Sequence, residues 1–219
     1  MQRDFISNVS HELKTPIASL ALASDALEER SKDEREKKYV HIIQKEVGRL
    51  KKNVEDILHA SLVESHLKTP KEELELMGFF QTLLDSLREE YSVHMVEWEL
   101  DCPAISVQTN QKMLENILRN LVDNAVKYGG KKISIEVLGS SKEVAISISD
   151  NGIGIAPEHQ KKVFSKFYRV PDTDHQHNQK GFGLGLHIVA SQVKKLGGKI
   201  SLSSNLGQGS TFKITFPNG

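Results

Sequence analysis

A histidine, an acid and a hydroxyl stand within little more than one helical turn in Ser10-His11-Glu12-Leu13-Lys14-Thr15-Pro16. Around them Ile6, Val9, Leu13, Ile17 and Leu20 recur at three- and four-residue spacing, the mark of a helix that buries one stripe. At about 100° per residue, His11 stands about 160° from both Val9 and Leu13. Its imidazole is thereby aimed outward, with Glu12 beside it and Thr15 one turn on. That setting suits a reacting imidazole better than a packed one.

Three later segments also hold chemistry-bearing residues. In Asn120-Leu121-Val122-Asp123-Asn124-Ala125-Val126-Lys127-Tyr128, helical spacing puts Asn120, Asn124 and Lys127 on one face beside the apolar one. Carboxamide oxygens can ligate Mg²⁺ and a lysine can neutralise phosphate, although an ordinary solvated helix face has the same pattern. Asp150-Asn151-Gly152-Ile153-Gly154-Ile155 directly follows a strand pattern. Its glycines permit a tight turn close to a ligand, and Asp150 can accept from an amino group such as that of adenine. A plain Asx-type turn is the alternative. Gly181-Phe182-Gly183-Leu184-Gly185-Leu186 enters a helix, where free N–H groups and the positive dipole end make a phosphate site. Its spacing is neither that of the dinucleotide-binding fingerprint nor that of a P-loop. Residues 165–180 before it are polar, as in a mobile lid; His175 and His177 there read as solvated rather than as metal ligands.

The chain that must position these groups has 219 residues, with 29 basic and 29 acidic side chains and no polybasic block. Nucleic acid or a membrane surface therefore has little electrostatic purchase. One cysteine, Cys102, excludes an internal disulfide and reads as a small buried hydrophobe. No apolar run reaches the ~18 residues of a membrane span. The amphipathic pattern begins by Phe5, as expected of the cytoplasmic portion of a longer protein whose sensor or membrane span lies upstream.

Two domains are expected, 1–67 and 68–219. The first reads as a helical hairpin, with a helix to about Arg30, a turn at Ser31-Lys32-Asp33, and a second helix. Ile43, Val47, Leu50, Val54 and Ile57 alternate four- and three-residue steps, the seam of four-helix packing. Two helices expose one side of such a seam, so a homodimer completing a four-helix bundle is expected. Packing of the seam on the second domain is the alternative, against which stands that domain's own apolar pattern. From Pro70 onward the character is α+β. A helix carries Phe79 to Leu87, and a strand lies near Val96 to Leu100. A second helix is capped by Thr109 or Asn110. Strands follow at Ile133-Ile135-Val137 and Val144-Ile146-Ile148, then a helix from about Gly185 to Leu196 and two strands flanking residues 205–209. Helices on one face of a mixed sheet give a two-layer sandwich.

In their order these motifs resemble the catalytic core of bacterial two-component sensor histidine kinases, over nearly the whole chain. Residues 5–20 resemble the H box, 116–128 the N box, 150–155 the G1 box, 164–170 the F box, 181–186 the G2 box and 207–212 a terminal glycine motif. The resemblance implies a HisKA phospho-acceptor hairpin followed by a HATPase_c domain of the Bergerat, or GHKL, fold, with ATP and Mg²⁺ as cofactors. It implies His11 as acceptor of the γ-phosphoryl group, Glu12 as the partner of its Nδ1 proton, and Thr15 as a residue for dephosphorylating a partner; Pro16 should bend the helix. It implies Asp150 on the adenine amino group with Gly152 and Gly154 shaping the pocket, and Asn124 on Mg²⁺ with Asn120 near the phosphates. Lys127 would touch phosphate, Tyr128 the base, and Arg169, with Lys166, the transferring group. Gly181, Gly183, Leu184 and Gly185 would close on the triphosphate, and Thr211 would join the adenine network. Phe164, Phe167 and Phe182 would anchor the lid.

The family's partners would be a second copy of the chain and the receiver aspartate of a response regulator, with membrane contact only through an upstream anchor in the inner membrane. His11 precedes Asn124 by more than a hundred residues, so the ATP domain would have to swing on a joint near residues 66–70. Hydrolysing ATPases of the same superfamily carry a glutamate base where this chain has Asn120, and they lack the H box. A non-catalytic scaffold or a phosphatase-dominant member is the other rival.

Overall fold

Residues 17–27 and 36–54 are helical wherever the computed structural model describes them. The described residues are 17–18, 20–25, 27, 33, 36–45, 47–48, 50, 54, 70–140, 142–171 and 183–218. His11, Glu12, Thr15, Pro16, Ile57, Phe182, the joint at 66–69 and most of the 165–180 lid, with His175 and His177, lie outside them, as does Gly181. Two compact units divide the chain, Met1–His66 and Leu67–Gly219.

In the first unit Ile17, Val47 and Val54 form a buried cluster with Ala21 packed on it. Gln44 Nε2 donates to Asp25 Oδ1 at 3.0 Å, tying the two helical stretches to each other. The buried stripe of the first stretch runs through Ile17, Ala21 and Ser24, and Leu20 is exposed, contrary to the expected stripe. Helical geometry gives the reason: Ala21 lies about 40° round from Ile17, whereas Leu20 lies about 60° to the other side. On the second stretch Val40, Val47 and Val54, seven residues apart, are buried, while Ile43 and Leu50 are 42% and 46% exposed. Among the described residues, one side of the seam is thus buried and the other exposed.

The second unit is built on a five-stranded sheet in the order β2-β4-β5-β7-β6. Its strands are β2 (Glu97–Asp101), β4 (Lys132–Gly139), β5 (Glu143–Asp150), β6 (Lys199–Asn205) and β7 (Gly209–Pro217). Only β2 and β4 run parallel, so the sheet is mixed. Residues alternate across it: Ile133, Ile135 and Val137, then Val144, Ile146 and Ile148, then Phe212, Ile214 and Phe216 are buried. Glu136 and Lys213 stand on the outer face, which is exposed at both. The inner face meets α1 (Leu76–Glu90), α2 (Gln111–Lys127) and α4 (Gly185–Lys195); the buried residues of α1 and α2 share one core cluster with Val189 and Val193 of α4. A fully buried large aliphatic side chain contributes about 1.5–3 kcal/mol, against about 0–1 for partly exposed ion pairs such as those of Arg119 with Glu90 and Glu115. The core therefore holds this unit together. The two-layer reading stands.

Two short strands were not anticipated. β1 (Glu72–Glu75) and β3 (Ser106–Thr109) pair antiparallel as a separate ribbon. A one-turn helix, α3 (Pro157–Gln160), follows the glycine segment after β5. Cys102 is buried, and that burial, with Glu75 and Asp101 nearby, pushes its thiol up to about 11. It is a packed thiol, as its sequence context suggests.

Candidate nucleotide site

The site is assembled where α2, the turn after β5, the β6–β7 turn and the start of α4 converge. Asn110, rather than Thr109, caps α2: its Oδ1 accepts the Met113 N–H at 2.8 Å. Leu114, Ile117, Leu118, Leu121, Val122 and Ala125 face the core. That leaves Asn120, Asn124 and Lys127 half-buried along its flank. Asn120 Nδ2 donates to the Asn116 carbonyl at 2.8 Å, which turns its Oδ1 away from its own backbone. That oxygen lies 3.1 Å from where a β-carbon on Gly185 would stand. Lys127 Nζ lies 5.3 Å from the centre of the Tyr128 ring, which is itself 38% exposed.

Asp150 ends β5 on the inner, helix-facing side, directly opposite Ser210 of β7. Its carboxylate accepts the Gly152 N–H at 2.8 Å, and the Ser210 backbone N–H lies on the side that favours its charge. Burial nevertheless holds its carboxyl above the ordinary aspartate range, because desolvation outweighs those two N–H groups. The turn beyond it is pinned on both sides. Asn151 Oδ1 accepts from the N–H groups of Lys131 and Lys132 at 2.9 and 3.0 Å. Ile153 donates to the Tyr128 carbonyl at 3.2 Å, and its own carbonyl accepts from Gly207 at 2.7 Å. Gly154 has φ +68 and lies against the Asn205 carbonyl, a place with no room for a side chain.

Thr211 lies elsewhere. Its register partner is Ser149, one residue before Asp150, and the two hydroxyls meet at 2.9 Å on the face away from the helices. Strand alternation puts Ser210 on the side of Asp150 and Thr211 on the other. The alternation of burial through Ser210, Phe212 and Ile214 carried that signal.

The glycine segment is described from Gly183. Gly183, at φ +67, accepts the Phe167 N–H at 3.1 Å, which sets the segment beside Tyr168 and Arg169. Leu184 is buried, so its side chain anchors the segment. Beyond it α4 starts at Gly185 with no side-chain cap, leaving first-turn N–H groups for an anion. Phe164 packs edge-on against Phe212, with ring centres 6.3 Å apart, as an anchor should. Phe167 does not anchor. It is 61% exposed at φ 65, with Lys166 Nζ 5.5 Å from its ring centre.

A half-buried carboxylate in a glycine-walled turn and an uncapped helix start facing a carboxamide form an arrangement fit for a base at one end and phosphates at the other. Residues 109–219 match the family described as histidine kinase-, DNA gyrase B- and HSP90-like ATPases, and residues 1–66 match the His Kinase A (phospho-acceptor) domain. The chain belongs to the sensor histidine kinases. The chain is 34% identical over 227 residues to the sensor protein RprX of Bacteroides fragilis, covering 99% of the chain and 44% of that protein. It is 32% identical over 226 residues to the sensor protein SrrB of Staphylococcus aureus, covering 99% and 38%. The chain thus spans less than half the length of these relatives. The Acinetobacter baumannii histidine kinase AdeS matches with TM-score 0.67 and 28% identity over 95% of this chain and 98% of that one. The crystal structure of full-length ShkA in complex with AMPPNP shares the fold of the chain, with TM-score 0.81 and 23% identity over 98% and 45%.

Proposed function

We propose that the chain autophosphorylates His11 from ATP and passes the phosphoryl group to an aspartate of a response regulator. The observation that carries this reading is the meeting of the Asn120 carboxamide with the uncapped start of α4 at Gly185, beside the Asp150 turn. Asp150 receives the adenine amino group; Gly152 and Gly154 let the base approach the backbone, with Tyr128 at its edge. Gly183 and Gly185 present N–H groups to the phosphates, and Lys127 adds positive charge. Arg169 meets the developing charge on the γ-phosphoryl group. When bound, Mg²⁺ neutralises charge on the phosphate oxygens. The Asn124 carboxamide fits such a hard cation, since it makes no hydrogen bond among the described residues.

In the transfer, His11 Nε2 forms the bond to the γ-phosphorus as the bond to ADP breaks, and Glu12 holds the Nδ1 proton that fixes the tautomer. Catalysis is positioning and charge neutralisation rather than covalent machinery. Thr15 supports the reverse-sense dephosphorylation of the regulator. The exposed Ile43 and Leu50 are the surface on which a second copy completes a four-helix bundle. The sensor-protein relatives favour a cytoplasmic place for these two domains; an inner-membrane anchor in the whole protein is part of the proposal.

Calorimetric titration of the full chain with AMPPNP, with and without Mg²⁺, tests the nucleotide half of the reading. Asp150→Ala should weaken AMPPNP binding strongly, though measurably, under both conditions, whereas Asn124→Ala should remove only the increment that Mg²⁺ brings. Unchanged binding by Asp150→Ala would refute the assignment.

A further inference from the structure

Behind the Asp150 turn, a hydroxyl ties together three segments. Ser204 Oγ accepts the Ile155 N–H at 2.8 Å, donates to the Gly209 carbonyl at 2.8 Å, and lies 3.0 Å from the Ser210 hydroxyl. A serine hydroxyl has one proton and two lone pairs. With the proton on Gly209 and the lone pairs taking Ile155 N–H and Ser210 O–H, its capacity is filled. Gln160, from α3, completes the hold by donating from Nε2 to the carbonyls of Ile155 and Ser204 at 2.9 and 2.8 Å. Both backbone polar groups of Ile155 are therefore held by side chains from elsewhere in the fold.

The register shows where this hold acts. Ser204 pairs with Ser210 across β6 and β7, and Ser210 pairs with Asp150 across β7 and β5. The three stand in one row on the inner side of the sheet, with Ser210 directly between Ser204 and Asp150. A shift at Ser204 is felt at Asp150 through Ser210 and at the far end of the same turn through Ile155.

We propose that Ser204 is a positioning residue for base recognition, which sets the Asp150 carboxylate where an adenine amino group meets it and so sets the preference for adenine over guanine nucleotides. The proposal rests on the reading of this site as an ATP site. Ser204 touches no part of the nucleotide itself. Its role is to hold the acceptor still, because an acceptor a fraction of an ångström out of place loses the amino group that adenine offers and guanine does not offer there.

The test compares the affinities of the full chain for AMPPNP and GMPPNP in wild type, Ser204→Ala, Ser204→Thr and Asp150→Ala. Ser204→Ala should weaken AMPPNP about tenfold and GMPPNP far less, so that the ratio of the two dissociation constants collapses toward one. Ser204→Thr, which keeps the hydroxyl, should restore most of the ratio. Equal weakening of both nucleotides, or an unchanged ratio in Ser204→Ala, overturns the proposal by leaving Ser204 a purely structural role. Asp150→Ala separates the two levels: if it keeps the preference, the ATP-site reading itself fails, and if it alone loses the preference, only the Ser204 proposal fails. Should Ser204→Ala melt below the assay temperature, Ser204→Cys is read in the same way, since it keeps the size and weakens the hydrogen bonds.

Discussion

Gly152 and Tyr128 approach so closely that a β-carbon on the glycine would stand 2.6 Å from the tyrosine carbonyl oxygen and 2.9 Å from Asp150 Oδ1. The same tyrosine carbonyl accepts the Ile153 N–H, so the end of α2 and the Asp150 turn are one rigid piece. Gly152→Ala forces that piece apart at a cost of about 1–3 kcal/mol. Thermal melting should show a drop of several degrees, about 2–4 °C per kcal/mol for a chain of this size. AMPPNP affinity should fall further than that loss of stability explains, because the methyl group displaces the carboxylate.

Acidity should reach Asp150 early. Burial raises its carboxyl above the ordinary value, so the folded protein bears the cost of the ionised form at neutral pH and sheds it as pH falls through the folded value. Nucleotide binding runs the other way, since it needs the carboxylate as acceptor. AMPPNP affinity, followed from about pH 8 down to the ordinary aspartate range, should begin to fall above the ~3.9 of an unperturbed aspartate. A flat profile down to that value would speak against Asp150 as the acceptor.

Thr109 and Asn110 should respond oppositely to removal of their polar atoms. Thr109 is buried and its hydroxyl has no partner among the described residues, so Thr109→Val should leave stability unchanged or raise it slightly. Asn110 caps α2 and also donates from Nδ2 to the Pro70 carbonyl at 2.9 Å. Asn110→Ala should therefore cost about 1 kcal/mol in chemical denaturation.

Periodicity made the larger elements legible. The alternation in Ile133-Ile135-Val137 and Val144-Ile146-Ile148 located β4 and β5, and the stripe from Leu114 to Val122 located α2. β1 and β3 were not legible because Glu-Glu-Leu-Glu carries no strand signature. Its partner lies more than thirty residues away, so only tertiary pairing makes it a strand. Motif spacing put Asp150 and Gly152 in one turn after β5 and Asn120 on the flank of α2, and they stand there because local turn and helix geometry fix both. Thr211 failed because its face depends on register across β5 and β7, which no local pattern states. Ser210 and Ser204 were missed for the same reason, since register alone sets them in a row with Asp150, and Gln160 was missed because its partners Ile155 and Ser204 meet it only in the folded chain.

The exposed side of the hairpin seam predicts its own test. Ile43 and Leu50 are each more than two-fifths exposed, at 42% and 46%, although both belong to the heptad pattern. Light scattering should give the wild-type chain twice its monomer mass. Ile43→Glu combined with Leu50→Glu should halve that value while far-UV circular dichroism keeps its helical signal. A monomeric wild type would exclude the bundle.

The central claim is that His11 receives the γ-phosphoryl group from the site around Asn124 and Asp150. Incubation of the full chain with γ-labelled ATP and Mg²⁺ tests it most directly. Wild type should acquire acid-labile, alkali-stable label, and both His11→Gln and Asn124→Ala should acquire none. Label that persists in His11→Gln would contradict the account.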